Sequence, residues 1–210
     1  QILDPGSRTV VAPPGYLPWP LEGFSGTLLR DGRVLLVGGV GKTPNLPTGE
    51  LLVFDPKSGA VRLLDLRLKT ARRDHAATLL KDGRVLISGG WDGKEYEPLG
   101  TAELIDLHRN SVQSLALITP RFFHTATLLQ DGRVLLAGGG SARWESTEKA
   151  ECFDPNTMKS VATKSSMVIN RSNHAAALLP DGRVLLSGHD MDSAHRNRDL
   201  PPLPKLPTRG

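Results

Sequence analysis

The sequence predicts an all-β fold assembled from repeated four-stranded antiparallel sheets, and three observations carry that reading. Nearly the same stretch recurs four times: DGRVLLVGG from Asp31, DGRVLISGG from Asp82, DGRVLLAGG from Asp131 and DGRVLLSGH from Asp181. The four aspartates are spaced by about fifty residues, the length of one supersecondary unit. The apolar stretches are short and bounded by Gly, Pro, Asn and Asp, as strands are, and no helical periodicity accompanies them. An Asp-Gly dipeptide between two apolar runs is, in addition, a strong hairpin signal.

In chain order, Ile2–Pro5 and Ser7–Val11 form a first strand pair. The first full unit places strands at Gly26–Leu29, along DGRVLLVGG, at Leu51–Pro56 and at Ala60–Leu64. The second has Ala76–Leu80, Val85–Ile87, Ala102–Asp106 and Val112–Ala116. The third has Thr125–Leu129, DGRVLLAGG, Ala150–Pro155 and Lys159–Ala162. The fourth contains only a first hairpin, His174–Gly188. Asp82-Gly83 predicts a two-residue type I′ turn, with both residues at positive φ. Strands that read as nearly continuous apolar runs, rather than alternating ones, are covered on both faces. Gly89-Gly90 marks a bend or a close approach of neighbouring backbone.

Four-stranded meanders repeated radially make a β-propeller, usually of about four to eight blades. The predicted organisation is a half-blade at 1–12, blades at 21–65, 72–116 and 121–163, and a half-blade at 171–188, together a propeller over 1–190. Residues 191–210 are a Pro-rich tail or loop, with Pro201, Pro204 and Pro207 at polyproline II spacing. If the two half-blades pair, a closed four-bladed ring has no exposed sheet edge. Two other assemblies fit equally: an excerpt of a larger ring, and two chains completing one ring of eight.

Composition narrows the function classes. With 39% hydrophobic and 23% charged residues, the chain reads as a soluble globular protein, and no apolar run is long enough to span a membrane. The net charge of +4 comes from scattered Lys and Arg, four of which (Arg33, Arg84, Arg133, Arg183) recur with the repeat. No basic cluster or stacking aromatics mark a nucleic-acid groove. A single cysteine, Cys152, excludes an intrachain disulfide framework. Gln1 is not an initiator methionine, which leaves room for an upstream segment.

The pattern Arg-x-x-His, a leucine-rich strand, Asp-Gly-Arg-Val-Leu, Gly-Gly and then Ala-Glu-x-Phe-Asp-Pro resembles the kelch motif. It is closest in style to bacterial kelch proteins and to the propeller of galactose oxidase. The second unit supplies Arg72, His75, Asp82, Gly89, Gly90 and Glu103; the third supplies Arg121, His124, Asp131, Gly138, Gly139, Glu151 and Phe153. Leu21 and Phe24 replace the Arg and His in the first unit, and Gly188-His189 replaces Gly-Gly in the fourth. Val61 and Val112 stand where animal kelch repeats carry a fourth-strand aromatic. The resemblance implies six or seven blades, which favours an excerpt or a multi-chain ring over a closed four-bladed monomer. It also tilts the location toward the secreted or extracytoplasmic side.

Candidate sites follow from where the units differ. The turns between first and second and between third and fourth strands are short and repetitive, whereas the loops Val40–Gly49, Trp91–Gly100 and Gly140–Lys149 differ in every unit. Variable loops on a rigid scaffold are where recognition usually sits. Their distinctive side chains, Lys42, Trp91, Glu95, Tyr96, Arg143, Trp144 and Glu145, suit a protein or glycan partner, although Trp91 and Trp144 serve equally well as covers for loop backbone.

His75, His124 and His174 enter the first strand of successive units and would ring a central channel. Each follows an arginine by three residues (Arg72, Arg121, Arg171), so Arg, His and Glu are expected to hydrogen-bond between blades rather than hold a metal. No cofactor is expected. A galactose-oxidase-like copper oxidase with its remaining ligands outside this chain is the alternative function. Against it, Asn173 stands where that resemblance expects a tyrosine before His174, and neither Tyr16 nor Tyr96 sits at a matching position.

Three further motifs are decoys. Gly38–Thr43 ends like a phosphate-binding loop, but Leu36 and Pro44 leave no opening glycine and no helix. Trp91-Asp92 occurs once, without a repeat. His189, Asp190, Asp192 and His195 have no regular chelating spacing. The expected function is therefore a non-catalytic binding or assembly module, capable of self-association to complete a ring.

Overall fold

The computed structural model describes residues 2–11, 17–41, 43, 45–94, 97–141 and 145–188. Among these residues there is no helix, and sixteen strands form three four-stranded sheets and two hairpins. The first hairpin is β1 (Ile2–Asp4) with β2 (Thr9–Val11). Sheet I contains β3 (Ser25–Leu28), β4 (Val34–Val37), β5 (Glu50–Phe54) and β6 (Val61–Arg67). Sheet II contains β7 (Ala76–Leu79), β8 (Val85–Ser88), β9 (Thr101–Asp106) and β10 (Ser111–Ala116). Sheet III contains β11 (Thr125–Leu128), β12 (Val134–Ala137), β13 (Ala150–Asp154) and β14 (Lys159–Ala162). The last hairpin is β15 (Ala175–Leu178) with β16 (Val184–Ser187).

Every pairing is antiparallel between consecutive strands, which is the meander read from the sequence. The sheets stack in chain order with their first strands side by side, β3 against β7, β7 against β11 and β11 against β15. Among the described residues the β1–β2 hairpin pairs only with itself, and no pairing joins it to β15–β16 as a closed four-bladed ring would require.

Alternation along each strand sends one set of side chains to the preceding sheet and the other to the following one. Leu35, Val37, Leu51 and Val53 of sheet I pack against Val85, Ile87 and Ile105 of sheet II. Leu86, Ala102 and Leu104 on the opposite face of sheet II pack against Val134, Leu136 and Phe153 of sheet III. The middle strands of sheet II are largely apolar on both faces because both faces are buried, and each fully buried Leu, Ile or Phe contributes roughly 1.5–3 kcal/mol.

The repeated turn differs from the sequence expectation. Gly83 has φ 91°, but Asp82 is not at positive φ, and the Gly83 N–H donates to the Leu80 carbonyl at 3.1 Å. The loop is therefore three residues, Lys81-Asp82-Gly83: a type I turn closed by a left-handed glycine. The aspartate serves as a cap, its Oδ1 accepting the Arg84 N–H at 3.0 Å and its Oδ2 accepting the Arg84 Nε–H at 2.8 Å. An i+2 residue whose side chain can hold the turn in this way removes the need for a second positive φ.

Candidate functional site

Two groups of residues stand out: a seam of repeated polar side chains between the first strands, and the unlike loops at one end of the stack. The seam is built by the connections that enter β7, β11 and β15. Arg72 is wholly buried and donates to the carbonyls of Thr70 at 3.3 Å, Gly89 at 2.7 Å and Thr101 at 3.1 Å, and to Glu103 Oε1 at 2.8 Å. Glu103, equally buried, also accepts the Lys69 and Thr70 N–H groups at 2.7 and 2.9 Å. Arg121 and Glu151 repeat this, 2.9 Å apart, with Glu151 accepting the N–H groups of Ile118 and Thr119. Burial pulls both guanidinium groups below their ordinary pKa, against the opposing pull of the carboxylate. Each pair ties an incoming connection to its own sheet, so the Arg–Glu bonds run within a blade-like unit and not, as expected, between units.

Beside the apolar packing, the seam joins neighbouring sheets through backbone hydrogen bonds and through the histidines. The carbonyls of Arg72, Arg121 and Arg171 accept the N–H groups of Gly39, Gly90 and Gly139 in the preceding sheet, at 2.8–2.9 Å. A Cβ on Gly89 would lie 2.2 Å from the Arg121 oxygen, and one on Gly138 would lie 2.4 Å from that of Arg171. These glycine pairs are required by close approach as well as by positive φ.

His75 Nε2 shares a hydrogen bond with Ser25 Oγ at 2.7 Å, His124 with Ser88 at 2.8 Å and His174 with Thr125 at 3.0 Å, each reaching one sheet back. Desolvation, reinforced by the adjacent Arg72 and Arg171, lowers His75 to about 3 and His174 to about 4; burial and Arg121 hold His124 well below the usual imidazole range. All three are neutral at physiological pH, with Nδ1 buried and unpartnered. Among the described residues, no three His, Cys, Asp or Glu side chains are grouped to hold a metal ion.

A third repeated feature was not legible as a motif. Gly23, Asp74, Phe123 and Asn173 precede each seam position at φ 49–64°. Their backbones form a chain across the stack: Asp74 N–H to Gly23 O, Phe123 N–H to Asp74 O, Asn173 N–H to Phe123 O. Asn173, at the position compared with a tyrosine, is thus a left-handed backbone link, a conformation that Asn and Asp adopt more readily than most residues.

At the loop end, the structure places Trp91 half-buried, its Nε1–H donating to the Lys94 carbonyl at 3.1 Å and its ring 5.8 Å from the Arg73 guanidinium. Its backbone pairs with Arg73 in both directions. Glu145 is exposed, and its carbonyl accepts the Ser141 N–H and Oγ–H at 2.7 and 2.9 Å. Lys42, Glu95, Tyr96, Arg143 and Trp144 lie outside the described residues, as do His189, Asp190, the chelation candidates beyond them and the Pro-rich tail.

Between the sheet II and sheet III loops is a hollow of about 470 Å³, lined by Glu97, Pro98, Ser141, Glu145, Thr147 and Glu148 among others. Of these, only Glu145 was singled out in the sequence. A larger hollow, about 650 Å³, lies at the opposite end beside Arg30, Arg84 and Arg109. Three of its arginines are already matched, Arg33 to Asp31 at 2.6 Å, Arg84 to Asp82 at 2.7 Å and Arg109 to Asp106 at 2.8 Å, while Arg30 donates to the Lys81 carbonyl. An incoming anion there would compete with three carboxylates.

No helix among the described residues is long and apolar enough to cross a membrane. No protein-family model matches the chain, and no curated protein matches it.

Proposed function

We propose that the chain is part of a kelch-type β-propeller that acts as a non-catalytic binding module, taking a protein or glycan partner at the end that carries the β4–β5, β8–β9 and β12–β13 loops. The observation that supports this most is the division of labour among the polar residues. The repeated Arg, His and Glu side chains, the residue types that would do chemistry, are committed to hydrogen bonds inside the scaffold. The unrepeated ones, Glu97, Glu145 and Glu148, are exposed around a hollow of about 470 Å³, a volume within the usual range of ligand sites, about 300–1,000 Å³. Carboxylates beside Ser141 and Thr147 offer acceptors to sugar hydroxyls or to the basic side chains of a peptide.

The test is binding to separate panels of oligosaccharides and basic peptides, by the native chain and by a Glu97→Ala, Glu145→Ala, Glu148→Ala variant. The variant should bind at least about tenfold more weakly, equivalent to about 1.4 kcal/mol, with its β spectrum unchanged. The panel that responds assigns the partner class, and equal binding by both proteins rejects the loop-end site.

A further inference from the structure

The β1–β2 and β15–β16 hairpins are separate two-stranded sheets of complementary build, and we infer that the free edge of β16 pairs with the β1 strand of a second copy of this chain. This rests on the stacking of the sheets and not on the ligand reading above. In each complete sheet, the second strand pairs with the third in one register: Val34 opposite Phe54, Val85 opposite Ile105, Val134 opposite Phe153. Each of those third-strand residues is followed by an aspartate that caps the next turn through the N–H two residues on, at 2.8–3.0 Å. The β1–β2 hairpin has the same construction, with Leu3 followed by Asp4, whose Oδ1 accepts the Gly6 N–H at 2.8 Å. It has the build of a third-and-fourth-strand hairpin. The β15–β16 hairpin has the build of a first and second strand, and among the described residues its outer edge is unpaired.

Side-chain exposure shows which faces the missing contact would cover. In sheets II and III, Ile105 and Phe153 turn toward the preceding sheet and are wholly buried. Their counterpart Leu3, with its cross-strand partner Val10, is 66% and 59% exposed. The surface such a pair would meet is the outer half of sheet III. There Leu135 and Cys152 are only half-buried and Val161 is 66% exposed, whereas Leu35, Leu86, Val53 and Leu104 at the matching positions of sheets I and II are buried. Arg171 lacks the carboxylate that Arg72 and Arg121 have from a third strand, and its Nε is buried without a hydrogen-bond partner.

An apolar pair, an apolar surface and an unpaired strand edge therefore match in one register, Val184 opposite Leu3. Among the described residues the first hairpin makes no pairing with that edge, and the hairpin proposed to fill it comes from a second copy. Two such junctions, made reciprocally, close a two-fold assembly with four blades from each chain and about eight in all, the upper end of the usual range.

The experiment uses the full chain. Light scattering after gel filtration should give about twice 22.6 kDa. Val10→Glu should return the mass to a single chain without loss of β structure, because Val10 is already exposed in the isolated chain. Leu3→Cys chains mixed with differently tagged Val184→Cys chains should oxidise to a covalent heterodimer, since directly opposed cross-strand residues meet disulfide geometry, and neither variant should do so alone. Single-chain mass with no crosslink overturns the proposal. So does closure within one chain of the Leu3→Cys, Val184→Cys double variant, which would mean that the edge takes its own hairpin.

Discussion

Replacing Arg121 by leucine leaves Glu151 wholly buried with two backbone N–H donors and no cation. Breaking a buried pair from one side costs about 3–5 kcal/mol, most of it the uncompensated charge. Glu151→Leu has a similar cost and also orphans the Ile118 and Thr119 amides, at roughly 1–3 kcal/mol for an unsatisfied buried group. The double variant removes both charges together, so its loss should fall short of the sum of the singles by about 2–3 kcal/mol. Sheet I is the natural precedent. Leu21 stands at the arginine position, and Leu52, opposite Leu36 as Glu103 is opposite Ile87, stands at the glutamate position. The two charges are absent as a pair. Urea unfolding of the four proteins, followed by tryptophan fluorescence with the slope checked for constancy, measures the coupling. Additive single losses would refute the pair as a charge-compensated unit. The solvent-exposed Arg133–Asp131 pair serves as the control and should show negligible coupling.

Other outcomes follow from the same seam. The three histidines have native pKa values far below the unfolded value of 6.5, so the unfolded chain takes up protons near pH 6.5 while the native one does not. Stability should be fully present above that pH and fall toward pH 4 by up to about 1.4 kcal/mol per unit for each histidine; a urea midpoint that stays flat from pH 7 to 4 contradicts their burial as neutral groups. Gly89→Ala places a methyl 2.2 Å from the Arg121 carbonyl, whereas Gly32→Ala meets nothing within 4 Å. Both carry the left-handed cost of about 1–2 kcal/mol, and Gly89→Ala should lose roughly a further 1–3 kcal/mol from the clash, read as a lower melting temperature. Equal losses would show that the close approach of sheets II and III is not as described.

Strand positions were legible because a four-fold repeat averages out the ambiguity of any one short apolar run. Lys159–Ala162 coincides with β14, and most other strands differ from the reading by a residue or two at an end. The turn type was misread because Asp-Gly is compatible with both a two-residue and a three-residue loop; the hydrogen bond from Gly83 to Leu80, a contact between non-adjacent residues, decides between them. The destination of the Arg–Glu pairs was hidden for a similar reason. Spacing shows that residues recur together but not whether they meet within a sheet or across two. The left-handed series had a signal in Gly23, Asp74 and Asn173, all residues that favour this conformation, but Phe123 masked it. The hollow between the Trp91 and Gly140 loops depends on how two unlike loops lie against each other, which no repeat encodes.

Repeated residues build the stack, and under the proposed function the unrepeated loop residues recognise the partner. The measurement that tests this most directly compares the unfolding free energy of the Glu97→Ala, Glu145→Ala, Glu148→Ala variant with that of Arg121→Leu. The loop-end triple, at exposed positions, should stay within about 0.5 kcal/mol of the native protein per substitution, while Arg121→Leu alone should lose about 3–5 kcal/mol. A loop-end triple as damaging as Arg121→Leu would mean that those carboxylates hold the fold together, and the division would be wrong.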